Sequence, residues 1–253
     1  MRAILLAAGL GSRLGGGRPK VLLSIGGETL LARHLAILTG CGIDEVVIGV
    51  GHRAEEIGAA VVALAPTLPV RLVTNPDFRG GSVTTLWAVR EAVSAGGPVL
   101  LMDADVLYDH RLMARLVASP HADCCLLDRD FEAGDEPVKL CLRAGRPVEL
   151  RKQIDPALAY DGCGESVGFF RFSEATARRL GEIAGGYVAR GETEAPHEEA
   201  VRDLLRERPF GVEEITGLPW LEIDFPEDLA RAERDILPRL APRPEPRGGE
   251  RHG

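Results

Sequence analysis

Short apolar runs alternate with amphipathic stretches through the first half of the chain. The apolar runs predict strands at Ala3–Ala7, Glu45–Gly49, Val70–Thr74 and Val99–Asp103. The stretches between them predict helices near Thr29–Gly40, Ala54–Ala65 and Ser82–Ala95. Alternation of this kind is typical of right-handed βαβ units. We therefore expect an α/β domain with a mainly parallel sheet, which binds ligands at the carboxyl ends of its strands.

The second half carries a different pattern, in which apolar runs flank a turn. Arg143-Ala144-Gly145-Arg146 predicts the turn of a hairpin. Strands are predicted at Val138–Leu142, Val148–Leu150, Val167–Phe172 and Leu221–Ile223, and helices at Glu174–Ile183, Pro196–Arg206 and Pro226–Leu237. From Pro238 onward the chain is rich in Pro, Arg, Gly and Glu, without an apolar pattern. We predict one domain over residues 1–237 and a disordered tail over residues 238–253.

Charge and composition narrow the class of protein. The formal net charge of −8 argues against a generally basic nucleic-acid surface. The sequence contains no run of 18 apolar residues, so we expect no membrane partner. Its five cysteines show no CxxC spacing, which favours reduced thiols and a cytoplasmic location. The oligomeric state stays open, a homo-oligomer included.

A glycine-rich segment follows the first predicted strand. Gly9 and Gly11 allow the backbone to approach a phosphate closely. A dinucleotide-binding GxGxxG motif fails because Leu14 stands where a small residue is needed, and no Walker motif surrounds Lys20. Arg13 and Lys20 instead place two cations beside the glycines, which suits a polyphosphate chain. The alternative is a flexible loop with solvated charges.

Carboxylates end two predicted strands. Asp103 and Asp105 follow a buried run, where a desolvated charge needs a partner. Magnesium, which binds one or two carboxylates together with phosphate oxygens, is one such partner. Asp224 ends the short strand before Pro226. A helix cap or turn role is the alternative for each of these acids, and it is strongest for Asp224.

The order Ala8-Gly9-x-Gly11-x-Arg13-Leu14, followed by Pro19-Lys20, resembles the signature of the sugar-phosphate nucleotidyltransferase superfamily. The resemblance covers roughly residues 1–237. It implies a single Rossmann-like three-layer domain with a mainly parallel mixed sheet, of the nucleotide-diphospho-sugar transferase type. It further implies Mg²⁺ as cofactor, held by Asp105 and Asp224, and catalytic roles for Arg13 and Lys20 on the phosphates of a nucleoside triphosphate.

The same resemblance implies a set of nucleotide-binding residues. They are Ala7, Ala8, Gly9, Gly11, Asn75, Ser82, Thr85 and Asp103. Asn75, Ser82 and Thr85 belong to a segment that is similar to the nucleobase loop of the family. An ordinary turn followed by Ser82 as a helix N-cap is the alternative there.

Further segments, including Gly164–Phe170 and Leu221–Asp224, resemble the phosphocholine, inositol-phosphate and aminoethylphosphonate cytidylyltransferase group. This resemblance favours CTP, and a small phosphorylated acceptor bound by Lys139, Lys152, Glu165 and Glu198. Surface charge is the alternative for both lysines. Aminoethylphosphonate or phosphocholine is favoured as acceptor, and an inositol phosphate or sugar 1-phosphate is the alternative. The low aromatic content of 5% weakens choline relative to a primary amine.

Two other functions stay open. Asp103-Ala104-Asp105 also spells the D-x-D metal motif of GT-A glycosyltransferases. Such an enzyme has no need of Arg13 and Lys20 around a triphosphate, and it releases a nucleoside diphosphate rather than pyrophosphate. A nucleotide sensor without catalysis would bind nucleotide and leave every acceptor unchanged.

Overall fold

The computed structural model describes residues 1–15, 17–131 and 134–243. Its strands are β1 Arg2–Ala7, β2 Ser24–Ile25, β3 Glu28–Thr29, β4 Glu45–Val50, β5 Val70–Thr74, β6 Val99–Asp103, β7 Val106–Tyr108, β8 Cys124–Leu127, β9 Lys139–Arg143, β10 Arg146–Arg151, β11 Gly162–Glu165, β12 Phe169–Phe172, β13 Gly211–Glu214 and β14 Trp220–Glu222. Its α-helices are α1 Leu30–Gly40, α2 Ala54–Leu64, α3 Ser82–Ala88, α4 Arg90–Val93, α5 His110–Ala118, α6 Glu174–Ala189, α7 His197–Glu207 and α8 Pro226–Arg231. Shorter helical turns lie at Ser12–Leu14, Lys20–Leu22, Ala232–Ile236 and Leu237–Arg239.

A seven-stranded sheet in the order β13-β8-β12-β6-β1-β4-β5 forms the centre of the domain. Strand β1 runs parallel to both β4 and β6, and β5 runs parallel to β4. Only β12 among the described strands of this sheet is antiparallel to its neighbours, β6 and β8. The predicted mainly parallel mixed sheet is therefore confirmed.

Helices cover both faces of this sheet, which makes three layers. Alternate residues of a strand point to opposite faces, and β1 shows the result. Its Leu5 joins the core cluster under α1, α2 and α5, whereas its Ile4 joins the cluster under α3, α6 and α7. Strands buried on both sides read as continuous apolar runs, which is why the sequence pattern found β1 and β6.

Three smaller sheets complete the described part of the fold, and two of them bear on the site, the third being the short β2–β3 pair. Strands β10, β9 and β11 form an antiparallel sheet, with the hairpin turn at the predicted position between Arg143 and Arg146. Strand β14 pairs with β7 directly beyond the end of β6. That pairing brings the C-terminal part of the domain to the carboxyl edge of the central sheet.

Several predicted elements differ from the structure. The predicted helix Ser82–Ala95 is divided at Val89, and the predicted helix Pro226–Leu237 gives way to a wider π turn after Arg231. The predicted strand Val167–Phe172 begins only at Phe169, because Gly168 has a left-handed φ of 75°. The sequence pattern did not predict α5 or the strands β2, β3, β7, β8, β11 and β13.

Contacts of the domain continue a few residues past the predicted boundary at residue 237. The backbone N–H of Ala241 donates to Asp109 Oδ2 at 2.7 Å, and Arg243 pairs with Glu28 at 2.8 Å. The remainder of the predicted tail, residues 244–253, lies outside the described residues. Among the helices that the structure describes, none is long and apolar enough to cross a membrane.

Candidate active site

A pocket of about 280 Å³ lies at the carboxyl ends of β1 and β6. These strands are parallel neighbours in which Leu6 pairs with Asp103, so their ends lie side by side. The pocket gathers most of the residues predicted to bind nucleotide, phosphate or metal: Ala7, Ala8, Gly9, Gly11, Arg13, Lys20, Ser82, Thr85, Asp103, Asp105 and Asp224. The predicted position of the site at a strand edge is thus the position of this pocket.

Three carboxylates converge at one end of the pocket. Asp105, Glu222 and Asp224 each offer an oxygen, and these oxygens lie within 4.8 Å of one another. The β7–β14 pairing brings them together, since Glu222 pairs with Val106 and the Ile223 N–H donates to the Asp105 carbonyl at 2.9 Å. Oxygen ligands in this number and spacing suit Mg²⁺. Glu222 was not among the predicted metal ligands, although its spacing of two residues from Asp224 places both on one face of an extended chain.

Asp224 does not cap the following helix. The N-cap of α8 is Phe225, and Asp228 Oδ2 accepts hydrogen bonds from the backbone N–H groups of Asp224 and Phe225 at 2.9 and 2.7 Å. The Asp224 carboxylate instead contacts Lys20 and lies 3.2 Å from an Arg13 nitrogen. Asp224 is therefore not the N-cap of α8, and Asp228, in the first turn of the helix, binds the backbone that precedes it.

Both predicted cations contact this carboxylate cluster. Lys20 Nζ donates to Asp105 Oδ2 at 2.9 Å and also contacts Asp224 Oδ1. Burial lowers the pKa of Lys20, but the two carboxylates outweigh burial and raise this pKa above its ordinary value. The Lys20 side chain therefore stays protonated and offsets the negative charge of the cluster.

The glycine loop shapes the approach to Lys20. Gly11 has a left-handed φ of 60°, and a Cβ there would lie 3.5 Å from Lys20 Cγ. Backbone groups of Ala7, Ala8 and Gly9 line the same pocket wall. A bound polyphosphate would meet this backbone and both basic side chains together.

Asn75 does not line the pocket. Its side chain is buried, and Nδ2 donates to the hydroxyls of Thr84 and Thr85 at 2.9 and 3.0 Å. Its Oδ1 accepts from the Asp77 N–H at 2.9 Å. The nucleotide-binding role of Asn75 stays a prediction, and in this geometry its amide group holds the Thr84 and Thr85 hydroxyls.

Ser82 is the first residue of α3, whose N-cap is Gly81. Ser82 Oγ accepts from the backbone N–H of His197 at 2.8 Å and lies 3.0 Å from His197 Nδ1. The hydroxyl therefore links α3 to the start of α7 and does not serve as the N-cap of α3. His197 approaches Asp103, which lines the pocket.

Asp103 carries an unusual charge environment. Burial, together with the negative charges of Glu198 and Asp105, raises the pKa of Asp103 well above its ordinary value. Asp103, His197 and Glu198 form a second group whose ligand atoms lie within 4.8 Å of one another. The sequence analysis did not predict this group, because no sequence spacing relates the end of β6 to the start of α7.

The four predicted acceptor-binding residues are divided between different places. Lys139 Nζ donates to the carbonyls of Gly134 and Lys152 at 2.7 and 2.6 Å, and Lys152 Nζ donates to Glu136 at 2.9 Å. These lysines join the β9–β10 hairpin to the loop before it and do not line either pocket at the site. Glu198 lies beside His197, away from Glu165.

Glu165 lines a second pocket, of about 610 Å³, which shares Asp224 with the first. Two arginines, Arg231 and Arg239, also line it, but carboxylates are more numerous among its charged residues: Asp128, Asp130, Asp135, Glu136, Glu165, Glu222, Asp224 and Asp228. Phe131, Trp220 and Phe225 add aromatic surface, and the Trp220 indole N–H donates to Asp128 at 2.7 Å.

The chain matches a known protein family over most of its length. The model of the MobA-like NTP transferase domain matches residues 3–171, which is more than half of the sequence. The chain belongs to this family. The family resemblance predicted from the glycine loop is thereby confirmed.

Two curated relatives of this NTP transferase domain match it along nearly its whole length. One is the bifunctional IPC transferase and DIPP synthase of Rubrobacter xylanophilus, 32% identical over 93% of this chain and 52% of the relative. The other is the CMP-5'-(3-aminopropyl)phosphonate synthase of Streptomyces rubellomurinus, 30% identical over 94% of this chain and 39% of the relative. The chain thus spans about half the length, or less, of these relatives.

Solved structures share the fold of this NTP transferase domain. The CTP:phosphocholine cytidylyltransferase from Streptococcus pneumoniae superposes with a TM-score of 0.73 at 21% identity, over 92% of this chain and 97% of the other. The inositol-1-phosphate CTP transferase from T. maritima gives a TM-score of 0.72 at 18% identity, over 93% and 97%. The predicted nucleotide-diphospho-sugar transferase type of fold is confirmed.

Proposed function

We propose that this NTP transferase domain transfers CMP from CTP to the phosphonate or phosphate group of a small, amine-bearing acceptor and releases pyrophosphate. The observation that carries the proposal is the cluster of Asp105, Glu222 and Asp224 in contact with Lys20 and Arg13 beside the glycine loop. The names of the relatives and of the structural neighbours support a nucleotidyl transfer that uses CTP.

The chemistry needs positioning and charge neutralisation more than proton transfer. An acceptor oxygen, already anionic, attacks the α-phosphorus in line, and the bond to the β-phosphate oxygen breaks to release pyrophosphate. Asp105, Glu222 and Asp224 are the residues that would hold Mg²⁺, which when bound neutralises charge on the triphosphate. Lys20 and Arg13 would stabilise the charge that develops on the leaving pyrophosphate.

The ribose and base would meet the pocket wall formed by the glycine-loop backbone, Ser82 and Thr85. Asn75 holds Thr85 in place through a buried hydrogen bond, so it would act on the nucleotide indirectly, through the position of Thr85. The choice of CTP over other triphosphates depends on the named relatives and structural neighbours alone, since the pocket geometry does not select a base. The expected cytoplasmic location and the homo-oligomer stay predictions.

The acidic second pocket supports an ammonium group on the acceptor. Its carboxylates and the faces of Phe131 and Trp220 suit a cation. An inositol or sugar hydroxyl would gain less from so many negative charges. Lys139 and Lys152 are committed to Gly134 and Glu136, so we assign recognition of the acceptor chiefly to the wall that contains Glu165.

A pyrophosphate-release screen tests the function. Four nucleoside triphosphates are crossed with 2-aminoethylphosphonate, choline phosphate, inositol 1-phosphate and hexose 1-phosphates. We expect turnover with CTP and an amine-bearing acceptor. Release of a nucleoside diphosphate from a nucleotide sugar, added as donor in a parallel arm, would support the glycosyltransferase alternative, and nucleotide binding without turnover would support the sensor.

A matched pair of acceptors tests the role of the amine. 2-Hydroxyethylphosphonate keeps the size and the phosphonate of 2-aminoethylphosphonate but lacks the positive charge. Loss of one charge-assisted hydrogen bond predicts a decrease in kcat/KM of about 10- to 100-fold. Equal kcat/KM values for the two compounds would exclude ammonium recognition by the acidic pocket.

A further inference from the structure

The group formed by Asp103, His197 and Glu198 shares no residue with the cluster of Asp105, Glu222 and Asp224 and reaches the pocket through Asp103. Asp103 ends β6, whereas His197 and Glu198 begin α7. The side chain of His197 is only 2% exposed, and those of Asp103 and Glu198 are 22% and 20% exposed. The group is therefore nearly enclosed but opens to the pocket through Asp103, which lines it.

Two polar atoms in this group have no hydrogen-bond partner among the described residues. They are His197 Nε2 and Glu198 Oε2, both buried. A buried polar atom without a partner carries a free-energy cost. Native proteins accept that cost rarely, and such atoms call for a ligand or another explanation.

The tautomer of His197 follows from the groups around its ring. Nδ1 lies 3.0 Å from Ser82 Oγ and 3.1 Å from Glu198 Oε2. A carboxylate this close to Nδ1 favours a hydrogen on Nδ1, because a lone pair there would be repelled. In neutral His197 the other nitrogen, Nε2, then carries a lone pair.

That lone pair faces a carboxylate. Nε2 lies 3.8 Å from Asp103 Oδ1, which is too long for a hydrogen bond and short enough for one ion to contact both atoms. Metal-bound histidines commonly have their second ring nitrogen hydrogen-bonded to another group, and Ser82 Oγ, at 3.0 Å from His197 Nδ1, is such a group here.

We propose that Asp103, His197 and Glu198 form a second divalent-cation site, with imidazole Nε2 and carboxylate oxygens as ligands, distinct from Asp105, Glu222 and Asp224. The presence of a nitrogen ligand favours a transition ion such as Mn²⁺ or Zn²⁺, whereas the all-oxygen cluster suits Mg²⁺. The ion would stand at the pocket wall, where its remaining coordination positions are open to an anionic ligand.

Manganese binding to the full-length protein tests the site without any substrate. The chelator-treated protein, labelled with ¹⁵N-histidine, is titrated with Mn²⁺ and followed by electron spin resonance. Bound ions are counted, and spin-echo modulation reports whether a histidine nitrogen is a ligand. We expect a bound ion with nitrogen coupling in addition to an ion in the all-oxygen cluster.

Variants assign the signal. His197→Gln should abolish nitrogen coupling and remove one bound ion, whereas the double variant Asp105→Asn, Asp224→Asn should keep the nitrogen coupling. His52→Ala is the matched control, because the His52 ring packs beside Phe78 at 6.2 Å and belongs to neither group of possible metal ligands, so it should leave the signal unchanged. Nitrogen coupling that is absent from the wild type, or that persists in His197→Gln, would overturn the proposal.

Two isosteric variants test the site independently in case His197→Gln fails to fold. Asp103→Asn and Glu198→Gln keep side-chain size, and each should weaken Mn²⁺ binding at the nitrogen-coupled site by about tenfold or more. Unchanged affinity in both, with thermal melting like that of the wild type, would also refute the site. Because no nucleotide or acceptor is added, this result is independent of the pyrophosphate-release screen.

Discussion

Lys20 Nζ lies 2.9 Å from Asp105 Oδ2 and also contacts Asp224 Oδ1, so one ammonium joins the glycine loop to two separate strand ends. The two carboxylates come together only because β14 pairs with β7. Lys20 occupies the space between them and balances part of their charge. A divalent ion held by the proposed cluster would therefore share this pair of carboxylates with Lys20.

Removal of the Lys20 ammonium should impair the transfer step itself. Lys20→Ala is expected to lower kcat by about a hundredfold or more, by analogy with the loss of an electrostatic donor in the transition state. Lys20→Arg keeps the positive charge on a side chain of different shape, so its kcat should lie between those of the wild type and Lys20→Ala. Steady-state pyrophosphate release measures the effect. Arg178→Ala, which breaks an exposed pair with Glu174, is the control, and normal turnover by Lys20→Ala would refute the role.

Neutralising the carboxylate cluster should change metal dependence. Asp105→Asn and Asp224→Asn each remove an anionic oxygen ligand, and we expect the Mg²⁺ concentration for half-maximal activity to rise by about tenfold or more. A titration of activity against Mg²⁺ at saturating CTP measures the shift. Asp235→Asn, whose partner is the exposed Arg234, should leave the Mg²⁺ dependence unchanged. An identical shift in that control would show that the change is not specific to the cluster.

Gly168 should be required for the position of Asp103. Its φ is 75°, and a Cβ at this position would lie 2.1 Å from Asp103 Oδ2. Gly168→Ala therefore forces the Asp103 carboxylate to move in addition to straining the backbone. We expect at least a roughly tenfold loss of kcat/KM for CTP, by analogy with misplacement of a group in the site.

Gly145→Ala is the matched control for backbone strain. Its φ is 74°, and a Cβ there would meet nothing within 4 Å. Both variants should lose about 1 kcal/mol of stability from the left-handed conformation. Only Gly168→Ala should lose activity, and equal activity losses in the two variants would contradict a specific role for the Gly168–Asp103 contact.

His34 should make the stability of the protein depend on pH. The ring is buried, with Nε2 3.1 Å from the Ala104 carbonyl and Nδ1 3.3 Å from the Tyr108 hydroxyl. A carbonyl only accepts, so Nε2 carries the hydrogen. Burial lowers the pKa of His34 to about 4.

The unfolded chain takes up a proton at His34 near pH 6.5, whereas the folded chain does so only near pH 4. The free energy of unfolding should thus fall by up to about 3 kcal/mol as the pH falls across that interval. Above pH 6.5 His34 is neutral in both states, so it should add no pH dependence there. Urea unfolding at several pH values measures it. In His34→Gln the slope should be shallower, and an unchanged slope would assign the pH dependence to other groups.

The sequence alone determined the features that depend on local order. A continuous apolar run predicts a buried strand wherever it occurs, which is why β1 and β6 were found together with the glycine loop that follows β1. The order of Arg13 and Lys20 after that loop was sufficient to indicate the family. Strand β8 was missed because Cys124-Cys125 is not a typical strand signal. Helix α5 was missed although the sequence does signal it, since the N-cap Asp109 precedes apolar Leu112, Met113 and Leu116 at helical spacing.

Only the tertiary structure decided which distant side chains meet. The β7–β14 pairing added Glu222 to the predicted acids, and the start of α7 placed His197 beside Asp103. Hydrogen bonding also gave Asn75 and Lys139 partners that no spacing in the sequence indicates. Strand pairing and helix packing depend on burying surface across the whole chain, so contacts between residues far apart in sequence are set by the complete fold and not by any local pattern.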